Sequence, residues 1–182
     1  MKELIKRIIP KVLLASIRGI RNEFFDGYCL RSYSQEGEDM ILHRIFEGKS
    51  HGFYVDVGAH HPRRFSNTYF FYKRGWRGIN IEPNPDASNL FRSARSRDIN
   101  IQLGVSDSTG RITYYQYDEP AANTFDSKIV NSRLAMARYK LQSTSEVNVE
   151  RLDHILTNHL PAGTQIDFLS IDVEGLDFAV LK

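Results

Sequence analysis

The sequence predicts an α/β fold built on a mainly parallel sheet, with a helical extension at the N-terminus. Three observations lead there. From Ser50 onward, short apolar runs alternate with polar stretches of helical length, and no repeat or low-complexity segment interrupts the rhythm. The apolar runs are rich in β-branched residues and end at small or acidic ones, the pattern of strands covered on both faces. Charge then separates an arm from a body: residues 1–22 hold six basic side chains against Glu3, or +5, which leaves −3 on the remaining 160 residues of a chain with net charge +2. At 182 residues there is room for one domain of about 150 residues and a short appendage. A hydrophobic content of 41% is enough to bury a core, which excludes wholesale disorder.

The arm, assigned to residues 1–30, comes first. Leu4, Ile5, Ile8, Ile9, Val12, Leu13, Ile17, Ile20 and Phe24 recur at spacings of three and four, an amphipathic stripe interrupted by Pro10, with the basic residues largely between them. Two readings stay open: an interfacial helix that touches anionic lipid through residues 1–24, or a helix packed on its own domain or on a partner. The domain follows at 31–182. Ser34 can cap a helix whose first turn holds Glu36, Glu38 and Asp39, and that capping accounts for the acids but not for Gln35.

Four strands are predicted at Phe53–Val57, Gly78–Ile81, Ile99–Val105 and Ile166–Ile171. Ser66 caps a helix from Asn67 to Lys73 that stops at Gly75, and Trp76, Phe70, Phe71 and Tyr72 belong to core and rim. Asn84 followed by Pro85 is a cap with proline at the first helical position, opening a helix to about Arg95. Arg111–Tyr117, after the turn residues Ser108, Thr109 and Gly110, is an antiparallel addition to the α/β rhythm. Residues 120–145 are a polar loop with one helix around Ser132–Leu141, followed by a short strand at Val147–Val149 and a helix at Arg151–His159.

Composition narrows the function. An acidic body disfavours nucleic acid, whose phosphates require clustered positive charge. Cys29 is the lone cysteine, so neither an intramolecular disulfide nor a thiolate metal site is available, and a reducing compartment fits. The apolar stretch Val12–Ile17 is far short of the roughly 20 residues that span a bilayer. The expected location is cytoplasmic, with peripheral contact at the inner face of the membrane under the interfacial reading of the arm.

The chemistry gathers at the strand ends. The first strand ends Asp56-Val57-Gly58-Ala59-His60-His61-Pro62, a carboxylate two residues before a glycine where an open α/β sheet places its ligand. A dinucleotide fold would need further glycines where His60-His61-Pro62 stands. An acidic residue with one close-approach glycine suits a cationic, phosphate-free nucleoside ligand such as S-adenosylmethionine. Glu82, 24 residues beyond Gly58, ends the second strand and can chelate two ribose hydroxyls, and Ser106-Asp107 ends the third. The competing reading of each acid is a helix cap or turn residue.

The motifs Tyr33-Ser34-Gln35-Glu36-Gly37-Glu38-Asp39, Phe53 to Pro62, Phe65-Ser66-Asn67-Thr68-Tyr69, Gly75 to Asn84 and Ile171-Asp172-Val173-Glu174-Gly175 resemble the FkbM family of S-adenosylmethionine-dependent methyltransferases. The likeness runs from about Tyr33 to Lys182. It implies a Rossmann-like class I methyltransferase sheet with helices on both faces, and methylation of hydroxyl groups on saccharides, glycolipids or polyketides. It also implies that Asp56, Gly58 and Ala59 line the cofactor pocket, that Glu82 and Pro83 meet the ribose, and that Ser106 and Asp107 lie near the adenine. Gln35, Asn67 and Asp172 complete the cofactor set. Candidate bases for the acceptor hydroxyl are His60, His61, Asp172 and Glu174, and no metal is expected. Asp172 has a second reading as the cap of a helix beginning near Leu176. A domain of this kind is expected to continue past the fourth strand, so the chain reads as C-terminally incomplete. An inactive module that binds cofactor or pairs through a strand edge, and a homo-oligomer, therefore stand beside the enzyme reading.

Overall fold

In the computed structural model, which describes residues 11–25, 27–136, 138–173 and 175–181, the chain divides between Ser32 and Tyr33 into two units. The first contains helix α1 (Lys11–Phe24), extended by a bond from the Phe25 amide to the Arg21 carbonyl (3.0 Å). The earlier part of the predicted stripe, with Pro10, lies outside the described residues. Among the described residues no helix is long and apolar enough to cross a membrane.

The second unit is organised by its first strand, β1 (Phe53–Val57). Successive side chains of a strand point to opposite faces, so Val55 and Val57 enter one apolar layer while Tyr54 and Asp56 enter the other. Both layers are real. Val55 and Val57 join Ile79 and Ile81 of β2 (Arg77–Ile81), all fully buried, and pack against Ile155 of α6 (Leu152–His159) and Val180 of α7 (Asp177–Val180). Each such side chain contributes about 1.5–3 kcal/mol by leaving water. On the opposite face Tyr54 packs with Phe70 and Phe71 of α3 (Tyr69–Lys73) and with Trp76, next to Met40 and Leu42 of α2 (Glu38–Ile45). Helices thus cover both faces.

Among the described residues one sheet has the order β3-β2-β1-β7, all parallel, with β3 at Ile99–Ile101 and β7 at Phe168–Ile171. A second sheet has the order β4-β6-β5, with β4 at Gly104–Val105, β5 at Gly110–Tyr117 and β6 at Leu141–Glu150. The single third strand predicted over Ile99–Val105 is therefore two strands in two sheets. Gly104 makes the change possible, because a Cβ there would lie 2.8 Å from Val149 Cγ1 and 2.9 Å from Phe125 Cζ.

Other boundaries move as well. The strand expected over Val147–Val149 begins at Leu141; its first six residues are exposed, so no apolar alternation announces it. The helix expected over Ser132–Leu141 is α5 (Ser127–Met136), preceded by a 3₁₀ turn at Pro120–Ala122. Helix α3 begins at Tyr69 rather than Asn67, although Ser66 still accepts the Tyr69 amide at 3.1 Å. Helix α2 begins at Glu38, beyond Glu36, and Ser34 Oγ accepts the amides of Gly37 and Asp39. Helix α4 (Pro85–Ala94) starts as expected: Asn84 accepts the Asp86 amide at 3.0 Å.

Candidate active site

The C-terminal ends of β1, β2 and β7 meet at Gly58. Its φ of +76° favours glycine, and a Cβ would lie 1.9 Å from the Asp172 carbonyl oxygen. The absence of a side chain lets β1 and β7 converge, and the Asp172 amide donates to the Val57 carbonyl at 2.9 Å. The convergence opens a cleft at the tips of the three strands.

Asp56 enters this cleft from the Tyr54 face of β1 and is nearly buried. Burial raises its carboxyl above the usual range, opposed by a hydrogen bond from Thr68 (2.7 Å) and by the positive charge of Arg95. Arg95 has no exposed surface. Its guanidinium donates to Thr68 Oγ1 (2.9 Å), the Tyr54 hydroxyl (2.7 Å), the Pro62 carbonyl (3.0 Å) and Asp98 (2.9 Å), so one buried cation ties Asp56 and the loop after β1 to the sheet.

Glu82, at the tip of β2, uses both carboxylate oxygens. One accepts the His60 amide at 2.8 Å and the other the Asn84 amide at 2.9 Å. Burial nevertheless pushes its pKa up to about 7, because the donors only partly replace the lost water.

The loop between these tips is strained. His60 and Phe65 both have φ of +54°, unusual for bulky residues, and their rings stack at 6.1 Å. His60 Nε2 is buried with no hydrogen-bond partner among the described residues, and burial, then the charges of Arg64 and His61, lower the ring's pKa to about 4. The neighbouring His61 turns elsewhere: its Nδ1 accepts the amides of Arg63 (3.1 Å) and Arg64 (3.0 Å). Arg64 forks onto Glu119 at 2.8 and 3.0 Å, with its guanidinium 4.2 Å from the Phe65 ring.

A model of the methyltransferase FkbM domain matches residues 56–182. The chain belongs to the FkbM methyltransferase family. No curated protein and no solved structure matches it. The matched segment begins at Asp56, so Gln35 and α1 lie before it.

In this FkbM methyltransferase the cleft brings together Gln35, Asp56, Gly58, Ala59, His60, Asn67, Glu82, Pro83 and Asp172, all named from sequence. Asn67 donates to Ser170 of β7 at 3.0 Å. Three of the named residues stand apart. His61 does not line the cleft, and Ser106 and Asp107 border a separate groove, where Arg151 donates to the Asp107 carbonyl at 3.3 Å. They part from the other tips because Val105 ends a strand of the second sheet. Glu174 lies outside the described residues. The N-cap position of α7 is Leu176 and not Asp172, and Asp177 in the first turn reaches back to accept the Val173 amide at 3.1 Å.

The structure also adds residues that sequence reasoning missed. Tyr114, Asn123, Thr124 and Phe125 form one wall, brought there by pairing of Tyr115 with Thr124. No local signal marks them. Among the described residues no cluster of His, Cys, Asp and Glu could hold a metal ion. Methyltransferases of this kind generally use S-adenosylmethionine, and the residues present fit such a group: two buried carboxylates and a close-approach glycine line the cleft.

Proposed function

We propose that this FkbM methyltransferase binds S-adenosylmethionine and methylates a hydroxyl group of a saccharide, glycolipid or polyketide-type acceptor. The observation that carries the reading is the pair of buried carboxylates, Asp56 and Glu82, at the tips of adjacent parallel strands with Gly58 between them. Asp56 would attract the positively charged end of the ligand, and Glu82 would accept from the ribose hydroxyls. When bound, S-adenosylmethionine supplies a methyl group carried on a sulfonium. Asn67, Gln35 and Asp172 would contact the methionine end.

His60 is the group best suited to the acceptor hydroxyl. Its low pKa keeps the imidazole neutral at neutral pH, so Nε2, unpartnered among the described residues, can accept a hydrogen bond from the acceptor hydroxyl, orient its oxygen and take up its proton. The acceptor would approach through an outer cleft that shares Gln35, Phe65 and Ala121 with the inner one. Carboxylates, arginines and the Tyr139 ring line it, a mixture that suits polyhydroxylated molecules. A cytoplasmic location belongs to the same reading and rests on the lone Cys29.

Calorimetric titration of the full chain with S-adenosylhomocysteine tests the cofactor assignment. Binding by the parent and its loss in the Asp56→Asn, Glu82→Gln double variant is the expected result. A folded parent that binds nothing overturns the proposal. Transfer of labelled methyl from S-adenosylmethionine to cell-envelope glycans, abolished by alkaline hydrolysis only if an ester forms, tests the hydroxyl as acceptor.

A further inference from the structure

Helix α1 belongs to the first unit, and its side chains point to a function of its own. Leu13, Ile17, Ile20 and Phe24 follow at intervals of four, three and four, which at about 100° per residue confines them to roughly 60° of the helix circumference. They are 51%, 50%, 55% and 78% exposed, a continuous apolar stripe open to water. Phe25, Tyr28 and Leu30 continue the exposed apolar surface just past the helix. An exposed stripe of this kind marks an interaction surface.

Charge selects the partner. Arg18 lies on the opposite side of α1, Arg21 and Glu23 flank the stripe on either side, and residues 1–22 together carry +5. Two such helices face to face would bring like charge together, +2 against +2. A surface of lipid phosphates offers the opposite sign, and it receives apolar side chains without requiring a shaped groove. Fourteen residues rise about 21 Å, short of the ~30 Å hydrocarbon thickness, so the helix would lie along a bilayer and not across it.

We infer that α1 is an interfacial anchor that lays the Leu13, Ile17, Ile20 and Phe24 stripe into the surface of an anionic lipid bilayer. Arg21 at the edge of the stripe and the basic residues of the preceding segment supply the attraction to the headgroups, and the methyltransferase unit is held at the membrane where amphiphilic acceptors would be concentrated. The anchor does not depend on the cofactor or acceptor assignments.

Flotation of the full chain with vesicles tests it. With equimolar phosphatidylcholine and phosphatidylglycerol the protein floats, and raised salt weakens the association. With phosphatidylcholine alone it stays at the bottom. Ile17→Asp with Ile20→Asp abolishes flotation while thermal unfolding is unchanged. Arg21→Gln weakens partitioning about fivefold, the effect of one basic residue near an anionic surface. A folded parent that ignores both vesicles overturns the inference, as does equal flotation with neutral lipid, or flotation indifferent to the aspartate substitutions. A dimer seen by analytical ultracentrifugation that those substitutions dissociate, in a protein that binds no vesicle, would assign the stripe to a second copy and overturn it too.

Discussion

Thr68 donates its hydroxyl proton to Asp56 Oδ2 across 2.7 Å, and the same oxygen of Thr68 accepts a bond from the buried guanidinium of Arg95. A carboxylate that lines the cleft is thereby fixed from behind by a residue that does not line it. Hydrogen bonds to charged groups contribute about 1.5–3 kcal/mol. Thr68→Val should therefore weaken S-adenosylhomocysteine binding roughly tenfold or more, and Thr68→Ser should retain it. Calorimetry on both variants checks this, and parent-like affinity in the valine variant would contradict it.

Arg95 and Asp98 form an ion pair at 2.9 Å with no exposure of either side chain. Removing one partner leaves a buried charge uncompensated, which costs about 3–5 kcal/mol. Arg95→Leu should lower the stability of the fold by that amount in urea denaturation. Arg92→Leu, an exposed change on the same helix, should stay close to the parent.

At Gly58 the prediction is steric. Alanine would need φ of +76° and would push its Cβ to 1.9 Å from the Asp172 carbonyl, so either β1 or β7 has to move. The conformational strain alone is worth about 1–3 kcal/mol. Gly58→Ala should both destabilise the protein and abolish S-adenosylhomocysteine binding. Gly163→Ala, also at positive φ but with open space around it, should cost only the strain.

Two titrating groups oppose each other at the site. Glu82 has a folded pKa of about 7 against an ordinary 4.5, so it stabilises the fold below 4.5 and loses that contribution as pH rises through 7. His60 has a folded pKa of about 4 against 6.5, so its contribution is present above 6.5 and lost as pH falls towards 4. Their slopes cancel over much of the mildly acidic range. Glu82→Gln removes one of them, and the stability of the parent relative to this variant should fall as pH rises from 4.5 to 7. Urea denaturation across that range measures the difference, and a constant difference would contradict the assignment.

The sequence by itself determined the parallel core and the pair of acidic tips. β1 and β2 are buried on both faces, so each had to be written as a short run built around β-branched or aromatic residues, and Asn84-Pro85 marks a helix start by local chemistry alone. Asp56, Gly58 and Glu82 were legible because a strand end and its following turn are contiguous in the chain. Only the tertiary structure decided the rest. Strand β6 is polar because most of it faces water, so Leu141–Glu150 carries no alternation to read, and the separation of β3 from β4 depends on a partner that lies about 45 residues away. That separation moved Asp107 out of the cleft and left room for Tyr114 and Asn123. Thr68 and Arg95 look like ordinary helix-end residues in the sequence. What makes them supports of Asp56 is the convergence of α3, α4 and β1 over one buried face, and contacts between residues 12 to 41 positions apart leave no periodic trace in a chain.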